Sequence, residues 1–172
     1  MQMPIIQLLD QVAREVEFSV NSELNRGGCA VYAALVARWL KQETPVDVAV
    51  SDDESWITIG EAREMGLTNT ADLCEWNERG LIFGHVVLDF EHKGQRYWYD
   101  SNGVVAQDLT GGCDPTYHFP ILAGRLTVEE TIKLAREGNW NRQFDRNEIP
   151  KIKSIVDRLM SKYFSQQPEI DY

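Results

Sequence analysis

From Cys29 to Leu40 the chain reads Cys-Ala-Val-Tyr-Ala-Ala-Leu-Val-Ala-Arg-Trp-Leu, with Arg38 its sole charge. A helix apolar on nearly every face has no solvent side, so it belongs inside a domain with other elements laid around it. Its first residue is a cysteine, preceded by Gly27 and Gly28. A thiol becomes a useful nucleophile only when its thiolate is stabilised, and the free N–H groups and dipole of a helix N-terminus do that. The two glycines allow a tight turn and a close backbone approach to whatever Cys29 attacks. On the end of a buried helix, the thiol has the rigid support that catalysis needs.

The chain has 172 residues, which suits one domain with a real core, expected over residues 1–165 with a frayed tail over 166–172. A formal charge of −10 argues against non-specific binding to nucleic acid or to an anionic membrane surface, since both need basic patches. No apolar run approaches the roughly 20 residues that span a bilayer. The opening Met-Gln-Met-Pro-Ile-Ile-Gln lacks the basic start and apolar stretch of a secretory signal. The expected location is therefore the cytoplasm, or the outside by a route that uses no such signal. Cys29, Cys74 and Cys113 cannot all pair within one chain, and their spacing fits neither a disulfide framework nor a CxxC zinc site. Reduced thiols and the absence of a metal or organic cofactor are the expectation.

Periodicity predicts an amphipathic helix over Ile5–Phe18, with Pro4 near its first turn, and a polar loop over 20–28. Thr44-Pro45 ends the buried helix. Val46–Val50 alternates as a short strand, broken by Asp52-Asp53-Glu54. Short helices are expected between Ser55 and Arg79. The strongest strand signal is Leu81–Glu91 followed by Gln95–Asp100, with Lys93-Gly94 as a two-residue turn. A third strand is expected over Gly103–Leu109. Helices follow over Leu126–Glu137, opened by Thr127 with Glu130 three residues on, and over Glu148–Tyr163. The fold class is therefore α+β: a central buried helix carrying the cysteine, packed on an antiparallel β-sheet, with extra C-terminal helices.

Pairing the hairpin outward from Lys93-Gly94 sets Glu91 against Arg96, a charge pair that supports the register. Phe90 then faces Tyr97 and Leu88 faces Tyr99, forming one apolar face. The other face carries His85, Val87 and Asp89 with Trp98, Asp100 and Asn102. Asp100 lies diagonal to His85, about 7 Å away between backbones, and Asn102 directly across from it. A histidine with an acidic or amide partner is half of a nucleophile–base–orienter set, which Cys29 completes if it approaches that face.

Gly-Gly-Cys heading a buried helix, Gly-His-Val-Val-Leu-Asp-Phe, and Tyr-Trp-Tyr-Asp-Ser-Asn-Gly together resemble the papain-like cysteine peptidase superfamily, in particular its transglutaminase-like branch. The likeness covers residues 20–110. It implies that Cys29 is the nucleophile, His85 the general base and then acid, and Asp100 the group that fixes the imidazole. It also implies acyl transfer through a thioester, with the oxyanion held by the Cys29 N–H and a second donor. Papain's donor is a glutamine six residues before its cysteine, a position occupied here by Glu23, which only accepts when ionised. Asn25 or Asn21 is the alternative. The implied substrate is a protein or peptide, cleaved at a peptide bond or modified at a glutamine side chain.

The competing readings are plain ones. Free cysteines are commonly buried and inert, which is the expectation for Cys74 beside Leu73 and Trp76. His92 falls near the hairpin turn and reads as solvated. His118, in Thr-Tyr-His-Phe-Pro, is the rival for the base, and its neighbour Cys113 offers no second pair for zinc. A catalytically silent relative that binds a basic protein partner is the alternative function.

Overall fold

A computed structural model describes residues 4–20, 24, 28–58, 64, 85–107, 118–137 and 144–172. Helix α1 (Ile5–Ser19) starts after Pro4, which sits at the cap position, and buries Ile5, Leu8, Leu9, Val12, Ala13 and Val16 on one stripe. Every residue of α2 (Cys29–Leu40) is buried, Arg38 included. The sheet then follows: β1 (Val46–Thr58), β2 (His85–His92), β3 (Gln95–Asp100), β4 (Gly103–Ala106) and β5 (His118–Leu126). Helix α3 (Val128–Glu137) and, after a single 3-10 turn at Arg146–Glu148, helix α4 (Ile149–Met160) complete the described elements. The architecture is α+β, with an antiparallel sheet ordered β4-β3-β2-β1-β5.

Helix α2 packs against β1, β2 and β3 on one side and against α3 and α4 on the other, while α1 lies on α4 and β4. That arrangement is what an all-apolar helix demands. Its one charge is handled locally. Arg38 donates to Asp157 and to the Leu35 carbonyl, and Asp157 also accepts from Trp39 Nε1 and Lys153 Nζ, each at 2.7 Å.

The hairpin forms in the expected register: Leu88 opposite Tyr99, Phe90 opposite Tyr97, Glu91 opposite Arg96. Lys93 and Gly94 have φ of 52° and 78°, the left-handed pair of a type I′ turn. Val86, Leu88, Phe90 and Tyr99 enter the core. Asp89 turns to the other face, where its fully buried carboxylate accepts from Arg96 and Arg125 at 2.7 Å and Gln107 at 2.8 Å.

Several elements differ from expectation, among them the last helix, which runs Ile149–Met160 where Glu148–Tyr163 is expected. Strand β1 runs on to Thr58: the acidic run does not end it but falls where its register with β5 slips, between Ser51 and Trp56. Strand β4 stops at Ala106. No strand is expected over His118–Leu126, yet β5 forms there, with its Pro120 tolerated on a strand at the sheet's edge. The C-terminal segment, expected to fray, docks without regular structure: Ile170 and Tyr172 pack on the core, and Arg136 lies over the Tyr172 ring. Of the stretch between Ser55 and Arg79, where short helices and loops are expected, residues 55–58 belong to β1 instead and Glu64 is helical; the rest, with Cys74 and Cys113, lies outside the described residues.

Candidate active site

Helix α2 opens on Cys29, whose residue is 5% exposed and whose thiol is free. Gly28 is the cap residue and offers no side chain to the first turn. The N–H groups of Cys29, Ala30 and Val31 therefore stand ahead of the first helical bond, made by Tyr32 N–H to the Gly28 carbonyl at 2.9 Å. Gly28 is there for packing. A Cβ on it would come within 2.8 Å of both Leu24 Cδ2 and Phe144 Cδ2. Its φ of −90° is one any residue adopts, so the reason is space and not conformation.

The sheet's orientation decides what the tip of α2 can reach. Tyr32, one turn into α2 and on the same helix stripe as Cys29, hydrogen-bonds Tyr99 near the end of β3. Just past the other end of α2, Thr44 donates to the Glu91 carbonyl beside the hairpin turn, at 2.8 Å. Helix α2 thus runs along the hairpin with its cysteine end toward the start of β2 and the end of β3. His85 is the first residue of β2, opposite Ser51 of β1. Asp100 is the last of β3, opposite Gly103. Counted from the Leu88–Tyr99 rung, the two positions differ by two residues along the strands, about 7 Å.

The faces add a constraint. Val86, Leu88 and Phe90 face α2, and position 85 has the parity of Val87 and Asp89. Any pairing of Cys29 with His85 therefore goes around the end of the sheet, not through the helix–sheet interface. The His85 side chain lies outside the described residues, as does Asn25. His118, the rival base, opens β5 opposite Thr58, two strands from β2.

Asn102 does not sit across from His85. Strand β3 ends at Asp100, and Ser101-Asn102 make a tight turn closed by Gly103 at φ 113°. Asp-Ser-Asn-Gly is a turn sequence, and the aspartate folds back on it. The Asn102 N–H donates to Asp100 Oδ1 at 2.7 Å while its side chain is exposed. Its contribution is a backbone one: it holds the carboxylate. On the far side of the turn, Asp10 of α1 accepts from the Val104 N–H at 2.8 Å, and a Cβ on Gly103 would meet that carboxylate at 2.7 Å.

A hydroxyl contact near this end, between Tyr32 and Tyr99, is not part of the sequence reading, which has Tyr99 only on the apolar face of the hairpin. Tyr32 and Tyr99 are each 1% exposed, and Tyr99 also donates to the Leu9 carbonyl at 2.9 Å. Burial pushes both phenols well above their ordinary range, so both keep their protons. The available signal was a lone hydroxyl in an otherwise apolar helix. His92, expected in solvent, lies 3.5 Å from Glu43. Among the described residues no cluster of His, Cys, Asp and Glu is arranged to hold a metal, and no helix is long and apolar enough to cross a membrane. No protein family, curated protein or solved structure matches the chain.

Proposed function

We propose that the chain is a cysteine-nucleophile hydrolase or acyltransferase that acts on an amide, either a peptide bond or a glutamine side chain. Cys29 attacks the carbonyl carbon, forming the S–C bond, as His85 takes the thiol proton. The tetrahedral intermediate collapses to a thioester, and the C–N bond breaks as His85 returns that proton to the leaving amine. Water or an amine then attacks the thioester, and the sulfur leaves and is reprotonated. Asp100 keeps the imidazole oriented and stabilises its charged form. The N–H groups at the tip of α2 are suited to hold the oxyanion. No metal or organic cofactor enters this chemistry.

What supports the reading is the direction of α2, whose uncapped tip bearing Cys29 points toward the end of the sheet where β2 begins and where the Asp100 carboxylate is held by its own turn. A second reading, a silent fold that binds a protein partner through the same region, is favoured by the low exposure of Cys29. Iodoacetamide titration followed by peptide mass spectrometry separates them. The enzyme reading expects Cys29 to be alkylated well below pH 8 and the other two thiols to lag; equal and slow reaction of all three favours the binding module. With a peptide library as substrate, Cys29→Ala is expected to abolish turnover, and a variant that still turns over rejects the nucleophile.

A further inference from the structure

A buried hydroxyl is costly unless its hydrogen bonds are made, and phenylalanine fills nearly the same volume without that cost. Helix α2 nevertheless carries Tyr32, fully buried, and β3 carries Tyr99, fully buried against it, with ring centroids 5.7 Å apart. The hydroxyls touch each other, and Tyr99 has only one proton, which goes to the Leu9 carbonyl. Tyr32 must therefore donate to Tyr99. The chain of bonds is directional, from α2 to β3 to α1, and each link needs its neighbour in one place.

Its location gives it a meaning beyond packing. Tyr32 lies one helical turn from Cys29, and Tyr99 immediately precedes Asp100. Consecutive residues of α1 grip the segment bearing that carboxylate from both sides: Leu9 takes the Tyr99 hydroxyl and Asp10 takes the Val104 N–H. A residue of slip in α2 is about 1.5 Å, enough to break the hydroxyl contact and carry the sulfur away from its partners.

We propose that the Tyr32–Tyr99 hydroxyl pair is a positioning device, which sets the helix tip bearing Cys29 in register with the strand end bearing Asp100. The inference rests on the reading of Cys29 as nucleophile. Neither tyrosine touches the reacting atoms, so both are positioning residues.

The test is the pH profile of Cys29 alkylation by iodoacetamide, measured on the full chain and needing no substrate. Three variants are compared: Tyr32→Phe, Tyr99→Phe, and the double Tyr32→Phe/Tyr99→Phe. The singles each leave a buried hydroxyl short of a partner. The double removes both and is expected to melt close to the unsubstituted chain. Its alkylation midpoint is expected about one pH unit higher, with the rate at pH 7 about tenfold lower. A packing role alone moves the melting temperature and leaves the midpoint where it was. A double variant that folds and keeps the original profile overturns the inference while the nucleophile stands. A double variant that fails to fold also overturns it, because the hydroxyls then serve the fold as a whole. An ordinary thiol profile in the unsubstituted chain overturns the nucleophile reading and this inference with it.

Discussion

At the scale of single residues, the molecule separates what a side chain is from what its surroundings ask of it. Gly28 reads in the sequence as freedom for a turn, but what the fold uses is its missing Cβ. Leu24 and Phe144 occupy the space where one would stand. Gly28→Ala is expected to cost about 1–3 kcal/mol by overpacking, read as a lowered urea midpoint with unchanged slope. Trimming Phe144 to leucine in the same chain should recover part of the loss. Asn102 shows the same separation. The sequence shows an amide able to orient a histidine; the structure uses its backbone N–H to hold Asp100. Residue identity alone does not reveal which atoms of a residue will be engaged, because that depends on whether the position is strand or turn.

At the scale of elements, local rules were readable and long-range ones were not. The β2–β3 register was legible because a type I′ turn specifies it within a dozen residues, although the Arg96 guanidinium goes to Asp89 and not to Glu91 opposite it. The α3 start was legible too: the Thr127 hydroxyl accepts from the Glu130 N–H at 3.1 Å, and the Glu130 carboxylate accepts from the Thr127 N–H at 2.8 Å. That reciprocal cap predicts that Thr127→Ala destabilises the protein by about 1 kcal/mol, checked by thermal unfolding, with Thr127→Ser close to neutral. Strand β5 was hidden because Pro120 breaks the local pattern, and only its place beside β1 at the edge makes it a strand. The extension of β1 past Ser51 was hidden by the acidic run Asp52-Asp53-Glu54, which reads locally as a break. Of the candidate site, Cys29 at a helix start and Asp100 at a strand end were legible from pattern. The hydroxyl tie between their elements was not, since nothing in the sequence says which tyrosines will face each other.

At the scale of the whole molecule, the sheet's second face is organised around one charge. Asp89 has no solvent-exposed side chain, and it gathers Arg96 of β3, Gln107 just beyond β4 and Arg125 of β5. One carboxylate thus ties segments from both sides of the sheet. Asp89→Ala removes the acceptor that Arg96, Arg125 and Gln107 share, while Arg125 keeps Asp47 at 3.2 Å. Arg96 is 43% exposed and can turn to water, so the expected loss is about 3 kcal/mol, at the low end for breaking a buried pair. Denaturant unfolding measures it, and a loss below about 1 kcal/mol would mean that water already shares the site.

The order of the strands also governs how the molecule comes into being. Strand β1 lies between β2 and β5, so Val48 finds its partner Leu126 only after most of the polypeptide has been made. Helix α2 precedes nearly everything that covers it. On the ribosome its apolar surface waits bare while the hairpin, β5 and the last two helices emerge, and contacts this distant in sequence form slowly. The nascent chain is therefore exposed to aggregation while it waits, and refolding from denaturant should yield native protein only when dilute.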